Sequence, residues 1–191
     1  MPQRNGSVMS EPRHRYSAVS LTFHWLTAVL VLIQILLITA HEATEGPMSR
    51  EFVMAHKSVG LTILVLTLAR IGWRLANPAL PIPPGTPNWQ RIIARGTHVL
   101  FYVLLIGLPL GGWAASSAGG RAIEWFGLFT WPALPVPQSR DLARSFMDAH
   151  EAGVKVLYVL LALHIGAALK HHFLDRDNVL HRMLPFIPRR P

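Results

Sequence analysis

Long apolar runs alternate with short polar or proline-rich connectors along the 191 residues of the chain. A helix needs about 20 mostly apolar residues to cross a bilayer. Four segments reach that length, and we expect each to form one transmembrane helix. They cover residues 18–40, 52–75, 96–118 and 146–173. The pattern therefore predicts an all-α membrane protein in which four transmembrane helices form one bundle.

The segments outside the apolar runs divide the chain into a core domain and two tails. Residues 1–15 are polar and are predicted to form a disordered cytoplasmic N-terminus, whereas residues 187–191 form a basic C-terminal tail. Residues 16–186 are predicted to form the transmembrane domain. No small-residue cleavage site follows the first apolar run, so we interpret that run as a retained span and not as a signal peptide.

Composition supports a membrane protein and narrows its chemistry. Charged residues make up only 15% of the chain, against roughly a quarter in soluble proteins. The net charge is +8, but the basic residues cluster at the ends of the apolar runs, which is typical of membrane flanks and not of a nucleic-acid-binding face. We therefore expect membrane lipid and no nucleic acid as partners. The absence of cysteine excludes disulfides, thiolate catalysis, iron–sulfur clusters and cysteine-ligated zinc.

Lysine and arginine are distributed unevenly between the two ends of the predicted bundle. Cytoplasmic loops of membrane proteins carry an excess of these residues. Arginine is abundant in both terminal flanks and around the second connector, whereas the first connector has only Arg50 beside three acidic residues. We therefore predict that both termini are cytoplasmic. We call the end that carries the first and third connectors the outer end, and the opposite end the inner end.

Histidine is costly inside a membrane and marks function there. The predicted spans contain five deep histidines, namely His24, His56, His98, His150 and His164. His150 and His164 are fourteen residues apart on the fourth helix, which is about 21 Å of helical rise. In a left-handed bundle with about 3.5 residues per turn, fourteen residues make whole turns. The two side chains are therefore predicted to point the same way at two depths, an outer and an inner level.

Each level needs a second ligand from another helix. His56 is the expected outer partner of His150, and either His24 or His98 is the expected inner partner of His164. A low-spin b haem takes two imidazoles and otherwise needs an apolar slot, whereas zinc needs four ligands at one depth. The alternatives are helix–helix hydrogen bonds, a proton relay, or a metal or proton transporter built on these histidines.

Two arginines and one further histidine extend the inner level. Arg70 follows His56 by fourteen residues, so it shares that face of the second helix and is predicted to bind a haem propionate or a quinone. Arg74 is a candidate for the same role, and for both arginines the alternative is that they reach out to the headgroups. His171 lies seven residues beyond His164 and is predicted to line a site next to the inner haem. His172 lies beside it at the cytoplasmic end of the fourth span, and the flank histidines expected to be solvated are His14, His41 and His181.

Four stretches resemble one known family. They are "RYSAVSLTFHWL", "AHKSVGLTILVLTLARIGWRL", "HVLFYVLLIGLPLGGW" and "HEAGVKVLYVLLALHIGAALKHHFLDRDNVLHRMLP". Together they resemble the four spans of bacterial cytochrome b561, a diheme family that includes superoxide oxidase, and the match extends over residues 15–186. The resemblance implies two b haems, with His24 and His164 on the inner haem and His56 and His150 on the outer one.

The resemblance also implies a function. The expected protein is a diheme cytochrome of the bacterial inner membrane that transfers electrons from a periplasmic-side donor, superoxide being one candidate, to quinone, with ubiquinone as the expected acceptor. His98 and His171 would then lie near a quinone pocket. The alternative is a haem-containing anchor and electron conduit for a soluble dehydrogenase, a hydrogenase or a periplasmic redox protein. Cations available to steer an anionic donor at the outer end are Arg50, Lys57, Arg121, Arg140 and Arg144.

Overall fold

Four long helices make up most of the computed structural model, which describes residues 15–81, 86–184, 186 and 187. They are α1 (Ala18–Glu42), α2 (Gly46–Ala76), α3 (Asn88–Ala118) and α4 (Arg140–Lys170). Each is long and apolar enough to cross a membrane. The predicted all-α fold with four membrane-spanning helices is thus confirmed. The N-terminal tail up to residue 14 and residues 188–191 lie outside the described residues, so the predicted tails remain predictions.

Serine side chains cap the first and the fourth of these helices. The side chain of Ser17 accepts a hydrogen bond from Ser20 N at the start of α1, and Ser139 accepts one from Leu142 N at the start of α4. These oxygens satisfy backbone donors that have no partner within the first helical turn. α3 continues as one helix through Pro109. Run length therefore located the spans, but α2, α3 and α4 begin six to eight residues earlier than predicted, and of these three only α4 begins at a side-chain cap.

The helices pack in chain order, α1 against α2, α2 against α3 and α3 against α4, whereas α4 approaches α1 and α2 much less closely. Gly153 of α4 allows the close α3–α4 contact, because a Cβ atom there would lie only 2.7 Å from Leu108 Cδ2. The largest core cluster draws on all four helices and comprises Val31, Val59, Ile63, Leu104, Leu157 and Leu160.

The third connector contains a small β-hairpin that the sequence did not predict. β1 (Ile123–Trp125) pairs antiparallel with β2 (Phe129–Trp131). The turn between the strands places Phe126 and Gly127 at φ values of 50° and 70°, which a non-glycine residue seldom adopts. We call residues 123–131 the outer hairpin. It is an exception to the all-α prediction, and it was missed because two three-residue strands leave too little alternation to detect.

The C-terminal segment folds across the inner end of the bundle. α4 continues into one π-helical turn, His171–Asp175, which ends where Arg176 adopts a φ of 53°. Farther along, Met183 O accepts a hydrogen bond from the Trp25 indole at 2.9 Å. Arg182 donates to the carbonyl of Pro81 at 2.8 Å. The segment thereby connects α1 with the second connector.

One of the flank histidines, His181, is buried, so the prediction that it is solvated was wrong. His181 is only 6% exposed; its Nε2 accepts from Arg15 Nε at 3.1 Å and its Nδ1 donates to Ile187 O. His41 is half-buried, with Nδ1 2.7 Å from the Ser49 hydroxyl. Tertiary folding of the C-terminal flank, which run length cannot reveal, covers the His181 ring. His14 lies outside the described residues.

Candidate haem sites

The outer level joins α2 to α4 through two histidine rings. The ring centroids of His56 and His150 are 6.3 Å apart, and their planes are inclined by 72°. His150 Nδ1 lies 2.9 Å from the carbonyl oxygen of Leu108 on α3. A ring that donates from Nδ1 keeps Nε2 free as a metal ligand, and such a bond fixes its orientation. α3 thus orients the outer ring of α4.

Small and polar groups surround the outer pair. A Cβ atom on Gly112 would lie 3.6 Å from His150 Nδ1, so a larger side chain there would press on the ring. Nδ1 of His56 is buried and makes no well-formed hydrogen bond, although the ring lies beside the backbone carbonyl of Gln34. A buried nitrogen of this kind needs a partner. The outer level therefore contains a buried ring nitrogen that lacks a well-formed hydrogen bond.

The inner level gathers three histidines around α4. The ring centroid of His164 is 6.3 Å from that of His24 on α1 and 6.2 Å from that of His98 on α3. His98 Nδ1 lies 2.6 Å from the carbonyl of Ala94 in its own helix. Both candidate inner partners therefore lie equally close to His164, and the choice that the sequence left open is not decided by distance.

Arg70 lies among the inner histidines. Its charge interacts with His24, His98 and His164, and its guanidinium carbon is 5.8 Å from the centroid of the Tyr102 ring. The Arg74 guanidinium lies 5.5 Å from the ring centroid of Tyr16 instead. Both arginines are half-buried. A positive charge that stays inside the bundle needs an anionic or π-electron partner.

His171 lies at the inner end of α4, in the π-helical turn. Its Nδ1 is 2.7 Å from Asp177 Oδ2 and 3.1 Å from Asp175 Oδ2. Lys170 Nζ in turn lies 2.6 Å from Asp175 Oδ2. The sequence reasoning missed both carboxylates, although the run "KHHFLDRD" placed them within seven residues of the lysine. The pair of aspartates fixes the ring so that Nε2 is the nitrogen left for other contacts.

The residues present fit a haem at each level. A metal that binds one imidazole nitrogen on each side at about 2 Å holds the two ring centres about 6 Å apart, and the pairs measure 6.3 Å. α4 packs closely against α3 but not against α1 and α2, the helices that carry the partner histidines. Thr67, one turn from Arg70, is 1% exposed and its hydroxyl has no partner among the described residues. Within the same residues, neither level assembles the four ligands that zinc requires.

Comparison with known proteins identifies the family. The family model described as prokaryotic cytochrome b561 matches residues 15–186. Cytochrome b561 homolog 2 of Escherichia coli strain K12 is 32% identical over 188 residues, which cover 89% of this chain and 91% of the relative. The probable superoxide oxidase CybB of Yersinia pestis is 32% identical over 173 residues, covering 90% and 96%. Since the family model spans nearly the whole described structure, this chain belongs to the prokaryotic cytochrome b561 family, as its motifs predicted.

Proposed function

We propose that this membrane cytochrome holds two b haems and transfers electrons between a donor at its outer end and a membrane quinone at its inner end. His56 and His150 would ligate the outer haem, and His24 and His164 the inner one. The observation that carries the proposal is the pair of 6.3 Å ring separations, one at each end of α4. When bound, the haems supply one-electron transfer between the two levels.

The chain itself orients the ligands and excludes water. The Leu108 carbonyl fixes one tautomer of His150, and apolar side chains separate the two levels. At the inner level the family resemblance favours His24 as the ligand, which leaves the ring of His98, 6.2 Å from His164, free to face a second bound molecule.

The inner end suits a quinone site. Quinone reduction consumes protons, and the predicted cytoplasmic orientation of this end would supply them. His171 can hold and release a proton at Nε2 because Asp177 fixes its other nitrogen. His98 and Arg70 would contribute a polar ring and a positive charge for the quinone oxygens. For Arg74, contact with Tyr16 favours a role nearer the headgroups.

The outer end suits an anionic one-electron donor such as superoxide. Arg121, Arg140 and Arg144 line one shallow pocket together with Asp148, two residues from His150. Positive charge around an entry point accelerates an anion by attraction. The Yersinia pestis relative is named a probable superoxide oxidase, which supports the same donor.

Stopped-flow spectroscopy of the haem-loaded protein in vesicles tests this function. Superoxide should reduce the haem absorbance bands at a rate that falls with ionic strength, because salt screens attraction beyond about 8–10 Å. Added ubiquinone should then reoxidise them. Arg144→Gln should slow the first step, whereas Arg91→Gln at the inner end serves as the matched control and should leave it unchanged. Haems that superoxide leaves oxidised, but that a soluble reductase reduces rapidly, would instead establish the electron-conduit alternative.

A further inference from the structure

The outer hairpin lies at the level where the uncharged part of the bundle begins. On α2, Lys57 and Arg70 are successive charged residues, and on α4 Lys155 and Lys170 are. These pairs enclose about 20 to 22 Å of helix, and lysine can extend to the surface of a hydrocarbon layer about 30 Å thick. Ser58, next to Lys57, therefore lies near the outer boundary of the membrane.

Hydrogen bonds attach the hairpin at this level. The Ser58 hydroxyl donates to Glu124 O and accepts from Phe126 N, each at 3.1 Å. The Trp125 indole donates to the Thr62 hydroxyl at 3.2 Å. On α3, the Trp113 indole donates to the carbonyl of Pro132 at 2.8 Å. The connection of the hairpin to α2 and α3 is therefore polar as well as apolar, and its height relative to the helices is fixed.

The two faces of the hairpin differ in polarity. Ile123 is buried against Leu61 and Leu64 of α2, and Trp125, Phe129 and Trp131 share its side of the sheet because the register pairs them in alternation. On the other side Thr130 donates to the carboxylate of Glu124 at 2.7 Å. One face therefore suits an apolar environment and the other suits water.

The tip of the hairpin exposes large apolar side chains. Phe126, Leu128 and Phe129 are 50%, 74% and 47% exposed. The three tryptophans of this region, Trp113, Trp125 and Trp131, pack beside Leu61 and Leu64 of α2, and they fit the aromatic belt found at membrane boundaries. A lipid surface at the height of Ser58 would cover the tip without any further partner.

We propose that the outer hairpin is an interfacial anchor. Its tip, from Phe126 to Phe129, inserts among the headgroups and upper acyl chains of the adjacent leaflet, while Glu124 and Thr130 face water. Through Ser58, the anchor ties the turn of α2 that follows His56 to the membrane surface. This inference rests on the spans and the hairpin alone, so it holds or fails independently of the electron donor and acceptor.

Single-cysteine labelling tests the anchor, because the natural chain contains no cysteine that would need removal. Leu128→Cys and its matched control Thr130→Cys, on the other face of the hairpin, are each labelled with bimane in the haem-loaded protein. Both are reconstituted in phosphatidylcholine vesicles with or without lipid that carries a nitroxide just below the headgroup. A retained haem spectrum verifies that each variant is folded.

We expect lipid nitroxide to quench the label at position 128 severalfold more than the label at 130, and aqueous iodide to show the opposite order. Equal quenching by iodide at both positions would place the tip in water and overturn the proposal. Protection of position 128 from both quenchers would indicate burial against protein, such as a second copy of the chain, and would overturn it too. Strong lipid quenching at both positions would contradict the assignment of a water-facing side.

Discussion

Removing one histidine of α4 should remove one haem and leave the other almost unchanged. In His150→Ala the outer pair loses a ligand, whereas His24 and His164 retain their 6.3 Å separation. The two levels lie about 21 Å apart by helical rise. We therefore expect the haem-to-protein ratio to fall from two to one, with a bis-imidazole spectrum for the haem that remains. His164→Ala should give the complementary result.

The remaining haem should be perturbed only electrostatically. Two unit charges about 21 Å apart interact by about 0.8 kcal/mol at an effective dielectric constant of about 20, which corresponds to about 35 mV for one electron. Loss of an oxidised, positively charged outer centre removes a repulsion that disfavoured the oxidised inner centre. The inner reduction potential should therefore fall in His150→Ala, by no more than about 35 mV on this estimate.

Haem extraction and a spectroscopic redox titration of the purified variants measure both quantities. His172→Ala is the matched control, because His172, in the π-helical turn after α4, belongs to neither pair. This variant should keep two haems. Loss of both haems in His150→Ala, with the protein still inserted and helical, would refute the two-level arrangement. A shift above about 100 mV in the remaining centre would refute the estimate that the levels interact only through their charges.

Three further predictions concern the groups around the rings. Arg70→Leu should lower the reduction potential of the inner haem more than that of the outer haem, because a buried positive charge disfavours ferric iron. A redox titration that resolves no such difference would indicate that Arg70 only reaches out to the lipid headgroups. Gly112→Leu should reduce occupancy of the outer haem site, because a Cβ atom there would lie 3.6 Å from the His150 ring. Gly107→Leu is the control and should not reduce it, because a Cβ atom there would have no neighbour within 4 Å. Pyridine haemochrome assays measure the haem content, and equal losses in the two variants would contradict this prediction. Asp177→Asn should slow haem reoxidation by ubiquinone severalfold and alter its pH profile, while superoxide-driven reduction stays unchanged; a uniform loss of both steps would indicate a structural role instead.

Periodicity and spacing predicted the features that depend on one helix at a time, namely the spans and the positions of histidines along each span. The length of the apolar runs predicted the four spans, because a helix needs about 20 apolar residues to cross the hydrocarbon layer. The fourteen-residue spacing on α4 predicted that His150 and His164 meet partners at two separate levels, and the structure brings His56 to the first. Spacing alone did not decide the inner partner, since His24 and His98 both lie at the right depth and both rings approach His164. Only the family resemblance favoured His24.

The features that the sequence did not reveal depend on contacts between distant segments. The outer hairpin is hydrogen-bonded to Ser58 of α2, and no local sequence pattern near residue 124 predicts that contact. The burial of His181 depends on Arg15 at the opposite end of the chain. Asp177 was overlooked because a carboxylate after a helix is usually solvated, and the π-helical turn that brings it to His171 has no clear local signature.

Both proposed ligand pairs include a ring from α4, which is synthesised after α1, α2 and α3. A nascent chain that has inserted only α1, α2 and α3 holds His24 and His56 without their partners, so neither haem pair can close before the fourth span enters the membrane. Both haems are therefore expected to bind late in assembly, after all four helices have inserted into the membrane. A chain truncated before Arg140 should insert into the membrane and show no haem absorbance.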